Sequence, residues 1–136
     1  PPINPLALAL AAGGTFVAQS FSSDPKRHVE ILEAAMDHDG FALVNTFSPC
    51  VTFNAVDTYD YFKDNLVDVA EEDEYDPSDH EAATQKILDR DAEYMGILYQ
   101  DPESVSYEKA QGIEGNMAAL DDWSPSDAQS LVDDLY

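Results

Sequence analysis

The sequence predicts an α/β fold, a partial parallel sheet with flanking helices, and three features predict it. Short runs rich in β-branched and aromatic residues (TFVAQS, FALVNTF, MGILYQ) alternate with longer stretches of helical period. The connections between them are brief and carry Gly, Pro, Ser and Asp, the residues that punctuate such units. Finally, 136 residues are about one domain's worth, and 44% apolar residues with six Phe, seven Tyr and one Trp can fill a core in spite of a formal charge of −22.

Asn4 can cap a helix whose first position is Pro5; LALALAA then supplies helix formers until Gly13 and Gly14 stop it. Being almost wholly apolar, this short helix is expected to be buried. TFVAQS follows as a buried strand. Ser23 or Asp24 caps a second helix from Pro25 to about His38, with Val29, Leu32 and Met36 on one stripe beside Ile31 and Ala35, and Gly40 ends it. FALVNTF is the next strand, closed by Pro49, which has no N–H for a ladder. Strand, helix and strand with short connections make a parallel unit over residues 15 to 47.

The later part is less regular. Asp57 can cap a helix through TYDYFKDNLVDV, with Tyr61, Phe62 and Leu66 facing inward as core. EEDEYDPSD reads as an exposed acidic loop, Ser78 or Asp79 caps a helix to about Arg90, and MGILYQ is an apolar run that can return to the sheet. The end from Ser124 to Tyr136 reads as a loosely attached helix. No internal repeat is present. The opening PPINPLALALAAGG, which lacks an initiator methionine, reads as the interior of a longer chain.

Charge excludes several functions. Twenty-eight acids against four Lys and two Arg repel phosphate backbones and anionic membranes alike, so no nucleic-acid or membrane partner is expected. The depletion of lysine together with the gain of acid suits a surface kept soluble where salt screens self-repulsion; an acidic patch for a basic partner is the competing reading. A single cysteine forms no internal disulfide, no signal-like start precedes the first apolar run, and no apolar stretch approaches the ~20 residues that span a bilayer, which points to the cytoplasm.

The stretch most suggestive of chemistry is SPCVTFN. In open α/β sheets ligands bind outside the carboxyl ends of the strands, where this segment and Cys50 are expected. Cys50 by itself has three readings: a small buried hydrophobe, a nucleophile, or a ligand with partners elsewhere. The nucleophile needs a base, and nothing in the context of His28, His38 or His80 sets one beside it. DHDG at Asp37 to Gly40 begins like a calcium loop but lacks the later ligands, and EEDEYDPSD lacks the glycine of such a turn, so both read as solvated. No phosphate-binding glycine loop, paired-cysteine zinc spacing or serine elbow occurs.

INPLALALAAGGTFVAQSF, HVEILEAAMDHDGFALVNTFSPCVTFN, DTYDYFKDN and YDPSDHEAA, in that order over residues 2 to about 107, resemble the C-terminal half of the beta subunit of 2-oxoacid:ferredoxin oxidoreductases. The acidic surface suggests the form of halophilic archaea. The resemblance implies that residues 1–56 are the C-terminal part of a thiamine-diphosphate-binding α/β domain, 57–112 a C-terminal extension and 113–136 an acidic tail. In that family the beta subunit carries thiamine diphosphate on Mg2+ and a [4Fe–4S] cluster. With an alpha subunit it converts a 2-oxoacid and coenzyme A to acyl-CoA, carbon dioxide and reduced ferredoxin. Cys50 matches the last of four cluster ligands. The other three cysteines and the GDG-type magnesium segment are missing from this sequence, so the chain alone is expected to bind neither cofactor and to catalyse nothing. The rival reading is a non-catalytic interaction domain that docks a partner subunit through its apolar helix and keeps Cys50 buried.

Overall fold

The computed structural model describes residues 3–89 and 92–112. The chain forms two compact units, Pro1–Ser106 and Tyr107–Tyr136. In the second unit the described part is α5 (Tyr107–Ala110) and the turn after it. The expected terminal helix from Ser124 lies outside the described residues, as does the tail from residue 113.

The first unit is a four-stranded mixed sheet with helices on both faces. Its strands are β1 (Phe16–Phe21), β2 (Ala42–Phe47), β3 (Leu66–Asp68) and β4 (Glu93–Gln100), in the order β2-β1-β4-β3. β1 and β2 are parallel, as the strand-helix-strand pattern predicts. β4 enters antiparallel to β1 and β3 runs parallel to β4, so the sheet is mixed and not wholly parallel. MGILYQ does return to the sheet, beside β1, whose six residues are all buried.

Alternation along β1 sends successive side chains to opposite faces. Phe16 and Ala18 meet Ile31 of α2 (Pro25–Met36), joined by Ala34, Ala35, Ala42, Val44 and Ile97. Val17 faces the other way, toward Leu6 and Leu10 of α1 (Pro5–Ala11), Ala83 and Ile87 of α4 (His80–Leu88), and Val69 and Leu98.

Capping explains where the helices begin and end. The Asn4 side chain accepts from the amides of Leu6 and Ala7, and Pro5 occupies the first turn. Past Ala12 the Gly14 amide donates to Ala9 O (2.8 Å) and the Gly13 amide to Leu10 O (3.1 Å). This six-to-one and five-to-two pair needs a left-handed residue at Gly13, whose φ is 84°. Asp24, not Ser23, caps α2, and Asp79, not Ser78, caps α4.

Four expectations are corrected. α1 buries only Leu6 and Leu10 and leaves Leu8 61% exposed, because residues four apart share a helix face and the one midway between them lies on the opposite face. On α2 the core stripe is Ile31 with the alanines, while Val29, Leu32 and Met36 stand on an exposed flank. The helix after residue 57 is α3 (Tyr59–Asn65), capped by Thr58 and not Asp57. Leu66 leaves it as the first residue of β3, drawn into the ladder with β4 opposite Glu93. The acidic stretch is not all solvated: it opens with a 3-10 turn at Val69–Glu71, Glu72 pairs with Lys86, and the Tyr75 hydroxyl donates to Leu98 O.

Candidate functional site

Parallel β1 and β2 end on one rim of the sheet. β4 starts on that rim because it is antiparallel to β1, and β3 starts there because it is parallel to β4. The loop Ser48–Asp57 leaves β2 at this rim and returns as α3, so Cys50 stands where the strand pattern places it. Its thiol is free and exposed.

Aromatic packing seats the loop. The Phe47 ring stacks on Phe62 of α3 at 4.5 Å between centroids, and Phe62 also meets Phe21 at 5.7 Å. The last residue of β2 and the helix after the loop are thereby clamped together, and Phe21 anchors both to the end of β1. Within the loop the Cys50 carbonyl accepts from the amides of Phe53 (3.1 Å) and Asn54 (2.9 Å), a single helix-like turn. The Asn54 side-chain oxygen accepts from the amides of Val56 and Asp57, and its amide donates to the Asp57 carboxylate at 2.9 Å. These local bonds restrict the backbone that follows the thiol. Around it Val51, Phe53 and Val56 are exposed, Phe53 by 92%.

The three histidines are engaged elsewhere. His28 Nδ1 lies 2.9 Å from the buried Ser20 hydroxyl, which is in turn 2.9 Å from Thr46 Oγ1. His38 Nε2 meets Thr15 Oγ1 at 2.9 Å and Ser104 Oγ at 3.1 Å. The Thr15 hydroxyl bonds to Phe41 O and the Ser104 hydroxyl to Asp39 O. Each hydroxyl spends its single proton there, so His38 Nε2 carries a hydrogen and donates. His80 packs edge-on against Tyr99. DHDG is thus a turn built around His38 and the positive φ of Gly40 (141°). Among the described residues no group of three or more His, Cys, Asp or Glu is placed to hold a metal ion.

Beside the loop, on the α1 and α4 side, a cleft of about 430 Å³ is lined by Gln19, Asn45, Phe47, Lys86, Glu93 and Tyr94 among others. Gln19, buried on β1, donates to Tyr94 O at 2.6 Å and accepts from Asn45 at 2.8 Å, which ties β1 to both neighbours. Burial raises the Glu93 carboxyl pKa, and the charge of Asp57 in the loop raises it further. The sequence singled out neither the aromatic clamp nor Asn54. The N-A-V-D spacing after the cysteine carried the signal for the second, since Asn accepting from amides two and three residues on is a common turn device.

Comparison with known proteins bears on this geometry. Residues 50–113 match the family described as the C-terminal part of the pyruvate ferredoxin oxidoreductase beta subunit. The chain is 31% identical over 141 residues to a 2-oxoacid:ferredoxin oxidoreductase beta subunit of a Sulfolobus species, covering 96% of this chain and 45% of that one. It is 33% identical over 117 residues to subunit beta of 2-oxoacid:ferredoxin oxidoreductase 1 of Aeropyrum pernix, covering 79% and 37%. A 2-oxoglutarate:ferredoxin oxidoreductase from Magnetococcus marinus, solved with 2-oxoglutarate, coenzyme A and succinyl-CoA bound, superposes with a TM-score of 0.72. It is 32% identical, with 96% of this chain and 44% of that one covered. The chain therefore spans less than half the length of these relatives. Among the described residues no helix is long and apolar enough to cross a membrane. Sequence likeness along nearly the whole chain, together with a shared fold, makes this chain part of a beta subunit of the 2-oxoacid:ferredoxin oxidoreductase family, corresponding to its C-terminal region.

Proposed function

We propose that this chain serves an enzyme that oxidatively decarboxylates a 2-oxoacid to acyl-CoA with reduction of ferredoxin, and that Cys50 gives one of four thiolates to a [4Fe–4S] cluster in the assembled subunit. The observation that carries this reading is an exposed thiol at the carboxyl rim, on a loop clamped by Phe47 against Phe62. The donor chemistry fits. Such clusters are held by thiolates and need no neighbouring base, and the three histidines are committed to other partners. The rival domain with a buried Cys50 loses support for the same reason, since the thiol is exposed.

One thiolate holds no cubane, so the other three ligands belong to the rest of the subunit, as do the residues for thiamine diphosphate and Mg2+. Bound there, these groups supply an electron sink for decarboxylation and a one-electron acceptor. This chain's contribution is to hold the thiolate outward. Pro49 fixes one backbone angle beside it, and the Cys50 and Asn54 turn fixes the backbone after it. A ligand restrained in this way loses less conformational entropy when metal binds. The alpha subunit, ferredoxin, coenzyme A and a 2-oxoacid are the partners this reading requires. The acidic, lysine-poor surface suits the cytoplasm of a halophilic archaeon, where salt screens its self-repulsion.

The test is Cys50→Ser in the chain coexpressed with the N-terminal portion of the subunit. Iron content and the broad visible absorption are expected to fall to background; a variant that keeps both overturns the assignment.

A further inference from the structure

Among the described residues one buried side-chain polar atom lacks a hydrogen-bond partner, Oε2 of Glu93. Native proteins pair the great majority of such atoms, so this one calls for a reason. Glu93 opens β4, pairs there with Leu66, the residue that α3 delivers to β3, and lines the cleft of about 430 Å³ at the carboxyl rim. The polar groups that share the cleft are committed elsewhere. The amide of Asn4, the cap of α1, donates to Ile87 O at 3.0 Å. On β1 and β2, Gln19 donates to Tyr94 O and Asn45 donates to Gln19. On α4 the Lys86 ammonium is held by Glu72 at 2.6 Å beneath the Tyr94 ring, and the residue after the helix, Asp89, accepts from the Tyr94 hydroxyl at 3.1 Å. Burial raises the Glu93 carboxyl pKa, and the charge that adds to this effect, that of Asp57, has its own sign.

Asp57 belongs to the cysteine loop. Its carboxylate accepts from the Asn54 side chain at 2.9 Å, and its amide donates to the Asn54 side-chain oxygen at 3.1 Å. The Asn54 backbone amide in turn closes onto Cys50 O at 2.9 Å. Glu93, Asp57, Asn54 and Cys50 therefore form a line of influence from the start of β4 to the residue that carries the thiol. A carboxyl enclosed without a donor is tolerated far better neutral than ionised. On ionising, two effects act in one direction: the enclosed oxygen must reach water, and its charge opposes that of Asp57. Because Asp57 is tied to Asn54, its retreat pulls on the turn that follows Cys50.

We infer that Glu93 is a proton-operated latch on the Cys50 loop: while its carboxyl holds a proton the turn from Cys50 to Asp57 stays closed, and its ionisation loosens that turn. The sign follows from linkage. A group that holds its proton more tightly when the loop is closed favours the closed form while protonated, and this advantage falls away as pH rises from the ordinary 4.5 through the raised value. Each unit by which closure raises the carboxyl changes the ratio of closed to open loop about tenfold. The latch goes beyond the assignment of Cys50, since it acts on the loop whether or not the thiolate holds iron.

The test follows side-chain carboxyl shifts and amide protection factors of the chain by NMR. The Glu93 carboxyl is expected to titrate above 4.5, and protection of the Phe53, Asn54, Val56 and Asp57 amides to fall about threefold or more between about pH 5 and about pH 7, with β1 amides unchanged. Glu93→Gln, which keeps the shape and cannot ionise, should hold the protection of the acid end throughout. Asp57→Asn, which removes the like charge and leaves an acceptor for Asn54, should lower the Glu93 midpoint and shrink the fall; it decides the matter should Glu93→Gln lose its β1 protection. Loop protection independent of pH, an equal fall in a folded Glu93→Gln, a Glu93 midpoint unmoved by Asp57→Asn, or a Glu93 carboxyl that titrates at 4.5 or below overturns the inference. None of these readouts involves iron, so failure here is distinct from failure of the Cys50 assignment.

Discussion

The two margins of the sheet solve opposite problems. At the β3 margin a short strand is pinned by polar contacts: Arg27 of α2 grips Asp68, and Lys86 of α4 pairs with Glu72 at 2.6 Å beneath the Tyr94 ring, 4.1 Å from its centroid. Only six basic residues exist in the chain, and two of them are spent here. At the β2 margin, among the described residues, there is no ion pair, the run from Gly40 to Val56 carries no charge, and Val29, Leu32 and Met36 are exposed. The difference teaches how a chain of −22 stays folded. Two of its few cations, Arg27 and Lys86, are drawn inward to partly buried carboxylates, where salt screens them least, while Lys26, Lys63 and Lys109 stay exposed. One edge strand is three residues long and flanked by ion pairs, and the other is six residues long and flanked by none among the described residues.

The comparison can be broken most forcefully at Gly96. Its φ is +115°, and a Cβ would sit 2.7 Å from Val69 Cγ2 and 2.8 Å from Asp68 Oδ1. Gly96→Ala should destabilise the chain by about 3 kcal/mol, from backbone strain and overpacking together; denaturant unfolding measures it. Next is Arg27→Met. It leaves Asp68, whose side chain is 11% exposed, without its cation and should cost about 2 kcal/mol, between the values for buried and surface pairs. The loss should persist in molar salt, which would abolish a surface pair's contribution.

The smallest effect is at Tyr75. Burial, followed by the charges of Glu72, Asp79 and Asp76, pushes its hydroxyl from 10.0 up to about 12. A raised folded-state value means that this contribution is fully present below pH 10 and is lost as pH rises toward 12. Tyr75→Phe strands the Leu98 carbonyl and should cost about 1 kcal/mol near neutrality. It should also flatten the alkaline fall in stability, read from unfolding curves between those two pH values. A variant with an unchanged alkaline limb would remove Tyr75 from the β3 pins.

Much of the β1-α2-β2 unit was legible because its signals are local. Asn4 before Pro5, Gly13 after the last turn and Pro49 after β2 each act through backbone geometry within a few residues. Where two caps competed the local signal was insufficient. Thr58 displaced Asp57 because the Asp57 amide and carboxylate are already bonded to Asn54. Cys50 could be placed at the rim from strand order alone, whereas its aromatic clamp joins Phe21, Phe47 and Phe62 from three elements far apart in sequence.

The sequence by itself determined the alternation of strands and helices, the stop signals, the position of the thiol past the end of a strand and the uncharged run around it, since all are set by neighbours along the chain. Only the tertiary structure decided that β4 runs antiparallel to β1, that residues 66–68 leave a helix for a ladder, and that Val29, Leu32 and Met36 stay exposed. These depend on which distant backbone offers a hydrogen-bonding partner and on which side Arg27 finds its carboxylate. Periodicity marks an apolar face, but it does not say what will cover it.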